Sequence, residues 1–143
     1  MAIYSLALNG TVTTTGAASW DVKAAATNRP RVMELGYVNG AATASTYGYG
    51  RSANTPTQTS PVLVQAEDPA DAAALTGCAV AWSVAPTLPA QFFRRASIPA
   101  TIGAGIIYTF PRGLALANSS ASLLQWNLAT NSAVYNTYVV VDE

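Results

Sequence analysis

Thr43–Arg51 reads TASTYGYGR, and its middle decides the class of fold. Side chains of an extended strand alternate between two faces, so Tyr47 and Tyr49 share one face while Gly48 and Gly50 leave the other bare. Glycine inside a strand costs stability, and it is kept where another backbone approaches closely or where a bulge forms. The segment predicts a strand with its aromatic bulk on one side only. Working outward, short runs of the same kind recur from end to end: Ile3–Leu8, Thr11–Thr15, Ser19–Lys23, Arg31–Val38, Val62–Ala66, Ala79–Ala85, Phe92–Ile98, Gly105–Phe110, Gly113–Ala117, Ser122–Leu128 and Val134–Val141. Between them lie turn formers, among them Asn9-Gly10, Asn39-Gly40, Ser60-Pro61, Pro86–Pro89, Pro99–Gly105 and Asn118–Ser120, whose backbones suit tight reversals.

Many short strands with regular turns predict an all-β fold, an antiparallel β-sandwich of the jelly-roll kind, ahead of an immunoglobulin-like one. The 143 residues make one domain, 1–143, large enough to bury a core of its own. Alternation also nominates that core. Val80, Trp82 and Val84 form one bulky face, and Leu124, Trp126 and Leu128 another, so both tryptophans are expected to be buried. The face opposite Trp82 carries Ala and Ser rather than Lys and Glu, which lets another sheet or subunit come close. One stretch departs from the strand pattern. Glu67–Leu75, EDPADAAAL, fits one short helical segment with Pro69 in its first turn and fits an irregular loop equally well.

Only 10% of the residues are charged, against about 25% in an ordinary domain, and seven basic side chains cancel seven acidic ones. A phosphate footprint needs several cations on one surface, so nucleic acid is not an expected partner. Histidine is absent, which removes the usual base for nucleophilic catalysis and the usual metal ligand. Cys78 is alone between Gly77 and Ala79 and reads as a small buried thiol. The two long uncharged runs, Ala72–Phe93 and Gly113–Val141, are interrupted by prolines or by amides such as Gln125 and Asn127, so neither is expected to enter a membrane. Glu67, Asp68 and Asp71 cluster within five residues, but their spacing is not that of an EF-hand loop, and solvent-facing acids are the expectation. Asp142 and Glu143 read as a solvated, fraying end. No catalytic residue, cofactor or small-molecule substrate follows from this inventory, and the chain reads as a non-enzyme.

The densest combination of side chains is Phe92-Phe93-Arg94-Arg95. As a strand it would send Phe92 and Arg94 to one side and Phe93 and Arg95 to the other. Aromatic residues and Arg are enriched at the centres of protein interfaces. The same pattern also fits a core Phe with its Arg reaching over the rim. Phe92, Phe93, Arg94 and Arg95, with Tyr47 and Tyr49, are the protein-interface candidates.

Taken in order, Ile3–Leu8, Arg31–Tyr37 with the small-residue run Ala41–Gly50, PVLVQAEDPAD at Pro61–Asp71, FFRRASIP at Phe92–Pro99, IIYTFPRGLAL at Ile106–Leu116, LLQWNLATN at Leu123–Asn131, and Tyr138–Val141 resemble small virion structural proteins of tailed bacteriophages. Among these are capsid decoration, or cement, proteins. The resemblance implies a jelly roll or related sandwich that assembles as a dimer or trimer outside the head and clamps major capsid protein subunits. The expected partners are therefore the major capsid protein and the chain itself, as a homotrimer, with synthesis in the host cytoplasm and residence on the outer head surface. Tail, collar or fibre placement is the alternative within the virion. A carbohydrate-binding sandwich with Trp20, Tyr47, Tyr49 or Trp126 as stacking platforms is the alternative outside it.

Overall fold

The structure is a computed structural model that describes residues 2–12, 14–118, 122–130 and 133–143. It contains thirteen strands and, among the described residues, no helix. Those strands are β1 (Ile3–Val12), β2 (Ala18–Lys23), β3 (Arg31–Asn39), β4 (Ser45–Gly50), β5 (Thr57–Gln58), β6 (Val62–Leu63), β7 (Gln65–Ala66), β8 (Gly77–Ala79), β9 (Trp82–Val84), β10 (Arg94–Ile98), β11 (Gly105–Ala115), β12 (Leu123–Asn127) and β13 (Ala133–Asp142). One sheet runs β11-β3-β13-β1-β7, a second runs β10-β4-β12-β2-β8-β6, and β5 pairs with β9 alone. Every pairing is antiparallel.

Leaving aside β5 to β9, the chain passes between the sheets at each step except from β4 to β10, and the sheet cores β11-β3-β13-β1 and β10-β4-β12-β2 are the two interlocked Greek keys of a jelly roll. The expected fold class is therefore the observed one. Its boundaries differ. Gly105–Phe110 and Gly113–Ala117 belong to one strand, β11, and Ile3–Leu8 continues through Val12, whereas Ala79–Ala85 divides between β8 and β9 in different sheets. Part of the turn at Asn118–Ser120 and residue 13 within Thr11–Thr15 lie outside the described residues, and residues 14 and 15 are not in a strand. Glu67–Leu75 is a loop, closed at its start by the Asp71 N–H donating to the Asp68 carbonyl at 3.0 Å.

The space between the sheets is filled mainly by aromatic side chains. Tyr37 of β3 stacks on Tyr47 of β4 with centroids 4.1 Å apart and planes 15° from parallel, which joins one sheet to the other. Tyr49 meets Tyr47 edge-on at 5.4 Å and Trp20 at 6.2 Å, geometries favoured by ring quadrupoles. Three hydroxyls at this depth find partners: Tyr37 shares a hydrogen bond with Ser45 Oγ (2.9 Å), Tyr49 donates to Gln125 Oε1 (3.0 Å) and Tyr135 to the Ser19 carbonyl (3.1 Å), whereas the Tyr47 hydroxyl has none among the described residues. Burial pushes the Tyr37, Tyr47, Tyr49 and Tyr135 phenols up from their ordinary value.

The second sheet is covered on its outer side as well. Of the connection from β4 to β10, residues 51–58 and 82–93 lie across that side as a third layer, a roof, while β8 and β6 extend the second sheet and β7 joins the first. The glycine face of β4 receives that layer: a Cβ on Gly48 would lie 2.7 Å from Phe92 Cδ1, and one on Gly50 would meet Phe92, Gln91 and Pro89 at 3.0–3.1 Å. β12 lies beside β4, with Trp126 opposite Gly48 and Leu124 opposite Gly50, so both project to this outer side. All five residues of β12 are buried. Trp126 is thus buried as expected, although beneath the roof and not between the sheets, and its indole donates to the Gly50 carbonyl at 3.3 Å. Trp82 corrects the expectation. It lies in the roof itself, half-buried, with Val80 and Val84 exposed on either side, because β9 joins no large sheet.

The chain end is another correction. Glu143 exchanges backbone hydrogen bonds with Ala2 (3.1 and 3.2 Å), and its carboxylate accepts the N–H groups of Leu75 and Thr76 at 2.8 and 3.1 Å. Trp126→Ala should lower the unfolding free energy by about 3–5 kcal/mol, and Trp82→Ala by less than about 2 kcal/mol, in urea titrations followed by circular dichroism.

Candidate functional site

Tyr47 and Tyr49 are not surface residues. They lie in the inter-sheet core with exposures of 2% and 0%, which corrects their nomination as interface anchors: the aromatic face of β4 meets the opposite sheet, and no surface of the chain exposes it. Trp20 and Trp126 are equally enclosed, so none of the four nominated rings offers a platform to a sugar.

The FFRR segment is divided by its strand boundary. β10 begins at Arg94, paired with Tyr49, so the strict alternation expected across all four residues fails for the two phenylalanines. Phe92 packs on Gly48 and Gly50, on the side to which Arg95 also points through its pairing with Gly48. Arg94 faces the sandwich interior. Its guanidinium lies 5.1 Å from the Phe110 ring centroid and 6.0 Å from that of Tyr108, closing the core where β10 and β11 form adjacent edges, and Nη1 donates to the Phe93 carbonyl at 2.8 Å. Arg94 thus reaches over the rim, although neither Phe92 nor Phe93 is the core residue expected beneath it. Phe93, 40% exposed, lies beneath the Arg51 guanidinium at 5.4 Å, a cation–π pair. Arg51 also donates to the Ala115 carbonyl at 3.0 Å. Together Arg51, Pro89, Ala90, Gln91, Phe92 and Phe93 line a depression of about 380 Å³. Of the nominated residues, Phe92 and Phe93 alone help to form a concave surface, and Arg95 stands exposed on the same side of the sheet.

This depression sits on a pinned roof. Thr87 N–H donates to Ser52 Oγ (2.9 Å) and Asn54 Oδ1 (3.0 Å), Asn54 Nδ2 to the Ala85 carbonyl (2.9 Å), and Ala53 N–H to the Thr87 carbonyl (3.0 Å). These bonds tie the outgoing and returning limbs of residues 51–93 together. The acids Glu67, Asp68 and Asp71 are exposed. Asp68 Oδ1 accepts the Ala70 N–H at 2.9 Å, a turn made by the side chain itself. Among the described residues no three His, Cys, Asp or Glu side chains converge on a point where a metal ion could bind.

One charged group was not legible as special in the sequence. Asp21 is wholly buried. It projects from β2 to the outer side, where the roof covers it: Oδ1 accepts from Gln58 Nε2 at 2.7 Å and from the Ala79 N–H at 3.3 Å, while Oδ2 lacks a partner, as does the Trp82 indole nitrogen. Burial raises its pKa above the usual aspartate value, against the opposing pull of Gln58, Trp82, the Ala79 amide and Lys23. Lys23 Nζ itself donates to the Pro56 carbonyl at 3.1 Å. Cys78, on the neighbouring strand, is buried, and burial together with the Asp21 charge pushes its thiol up. A thiol in that condition is a poor nucleophile.

Neither a protein-family model nor a curated protein matches the chain. Because Asp21 binds its proton more tightly folded than unfolded, its ionisation lowers stability above the folded pKa, and the cost vanishes below the unfolded value near 4. The unfolding free energy of the native chain relative to Asp21→Asn should therefore rise as pH falls from neutrality towards 4 in urea titrations at fixed ionic strength. A difference that falls instead would show that the buried carboxylate is net stabilised.

Proposed function

We propose that this chain is a structural protein of a tailed-bacteriophage virion, a head decoration protein that binds across neighbouring major capsid protein subunits and holds them together. The observation that carries the reading is the exposed surface. Val62, Leu63, Leu75, Val80, Val84, Leu88, Ile102 and Ile107 all stand out from it on a chain of zero net charge; of these Leu63 and Leu75 line one depression, and it is contiguous apolar exposure that suits contact with other proteins. The depression beside Phe92 and Phe93, with Arg51 over the Phe93 ring, has the aromatic and arginine composition of interface centres. Its placement on the head follows from the resemblance of the sequence. No second reading is favoured by a comparable observation, since the rings that a carbohydrate module would use are in the core.

Each copy would contribute modest contacts, and repetition over a lattice would make them collectively strong. Binding should therefore be much tighter to assembled, expanded heads than to free capsid subunits. With no net charge to steer the encounter, it should persist in moderate salt. Co-sedimentation with matched heads, tails and free subunits at low and moderate salt tests this, together with release of DNA from heated heads with and without the protein. Retention by heads and a raised release temperature are expected. Retention by tails alone would move the protein to the tail, and retention by neither would end the virion reading. Within the same assay, Phe93→Ala should weaken particle binding by about tenfold or more, the size of an interface hot spot.

A further inference from the structure

The two large sheets have four edge strands, and these are not treated alike. β6 and β7 are two residues long, and β10 opens with Arg94 and Arg95, both common protections against pairing with another chain. β11 lacks such protection over its first half. Gly105–Thr109, GIIYT, contains neither charge nor proline, and Ile107 is 61% exposed.

The direction of its backbone groups follows from the ladder with β3. The Asn39 N–H donates to the Ala104 carbonyl at 2.8 Å and the Asn39 carbonyl accepts from the Gly103 N–H at 2.9 Å, a bulge that opens the ladder with the Ala104 carbonyl turned towards β3. Hydrogen-bonded and non-bonded pairs alternate in an antiparallel ladder, so Ile106 with Tyr37 and Tyr108 with Leu35 are the next bonded pairs in the register. The N–H and C=O groups of Gly105, Ile107 and Thr109 consequently point away from β3, out of the free edge. The window is bounded at both ends. Gly103, with φ of 84°, precedes it. After Thr109 the strand bulges: the step from Thr109 to Leu114 is matched on β3 by the step from Glu34 to Val32, and the bulge holds Pro111 and Gly113.

We propose that this edge binds a second copy of the same chain, antiparallel, about a two-fold axis at Ile107. In that register Ile107 lies opposite Ile107 of the second copy, and Gly105 lies opposite its Thr109. Each pair exchanges both backbone hydrogen bonds, and no charged side chain is opposed within the window. The same two-fold brings the start of the window in one copy, with Ile102 just before it, beside the end of the window in the other, where the bulge follows Thr109. Ile102 is 68% exposed, and Arg112 belongs to an apolar depression of about 390 Å³ formed by Phe110, Pro111, Arg112, Gly113 and Leu114. An exposed apolar side chain and an apolar depression therefore lie side by side at each end of the window, where their contact would add apolar burial to the ladder. The contact is isologous and closes at two copies, so it removes an edge that would otherwise invite open-ended association. The product is a dimer with a continuous sheet across both chains, in place of the expected trimer. It does not depend on the virion assignment, because the association is a property of the chain alone.

Sedimentation of the full chain from nanomolar to high micromolar concentration tests the pairing. A dimer is expected. Ile107→Pro removes the central outward N–H while leaving the bonds to β3, and Ile102→Asp alters the exposed side chain before the window without touching any strand; each should weaken association about tenfold or more with an unchanged circular dichroism spectrum. Phe93→Ala, on the other sheet's side, should leave the dimer intact. Should Ile107→Pro fail to fold, Ile102→Asp carries the test, along with concentration-dependent protection of the Gly105, Ile107 and Thr109 amides from hydrogen exchange. A native chain that stays monomeric or forms trimers overturns the proposal, as does a dimer indifferent to Ile102→Asp.

Discussion

Everything in this fold turns on β4 having bulk on one face and none on the other. Tyr47 and Tyr49 extend inward, where Tyr47 stacks on Tyr37 of the opposing sheet and Tyr49 reaches Gln125. Gly48 and Gly50 extend nothing outward, and Phe92 occupies the space their side chains would fill. Either half alone is an ordinary strand. Together they make a strand buried on both sides, and its neighbour β12 shares that condition. Side chains at those two levels have to match closely packed surfaces above and below, and interiors of that density tolerate little change in volume.

The roof over the second sheet explains the least expected electrostatic feature. A carboxylate on the outer face of a sheet is normally in water, and Asp21 would be there had residues 51–93 followed the molecular perimeter. Their return across the sheet buries it beside Gln58 and the Trp82 indole. A lone buried carboxylate is costly unless hydrogen bonds satisfy it, and here only one oxygen is satisfied. The arrangement is tolerable because the roof is held independently, by the Ser52, Asn54 and Thr87 bonds at its base and by Phe92 on the glycines.

The outer face of the first sheet is bare by comparison. Among its charges, beside Arg31 and Asp142, is Glu34, which accepts a 2.6 Å hydrogen bond from Tyr138 while the Tyr138 ring covers Gly36. That bond, followed by burial, pushes the Tyr138 phenol up to about 12. The asymmetry between a roofed sheet and an open one gives the molecule two kinds of surface: an internally bonded layer on one side and an uncovered sheet with an unprotected edge at Gly105–Thr109 on the other. A surface so poor in charge offers shape and apolar contact more than ionic recognition.

Period-two alternation was enough to establish from the sequence that the chain is all β, that Tyr47 and Tyr49 share a face opposed to Gly48 and Gly50, and that Trp126 is buried, while the small neighbours Gly77 and Ala79 marked Cys78 as a buried thiol. Turn residues at regular spacing were enough to favour a jelly roll. These are local properties, each set within a few residues by backbone geometry. What alternation cannot express is whether a strand's second face meets water, another sheet or a returning loop, because that depends on contacts between residues far apart in the chain. Tertiary structure alone therefore decided that Ala79–Ala85 would be shared between two sheets, leaving Trp82 half-buried; that Tyr47 and Tyr49 would be lost to any partner; that Asp21 would be enclosed; and that Phe92 would part from Arg94 where β10 begins. The free edge of β11 belongs to the same class, since a strand becomes an edge only when the order of all its neighbours is settled.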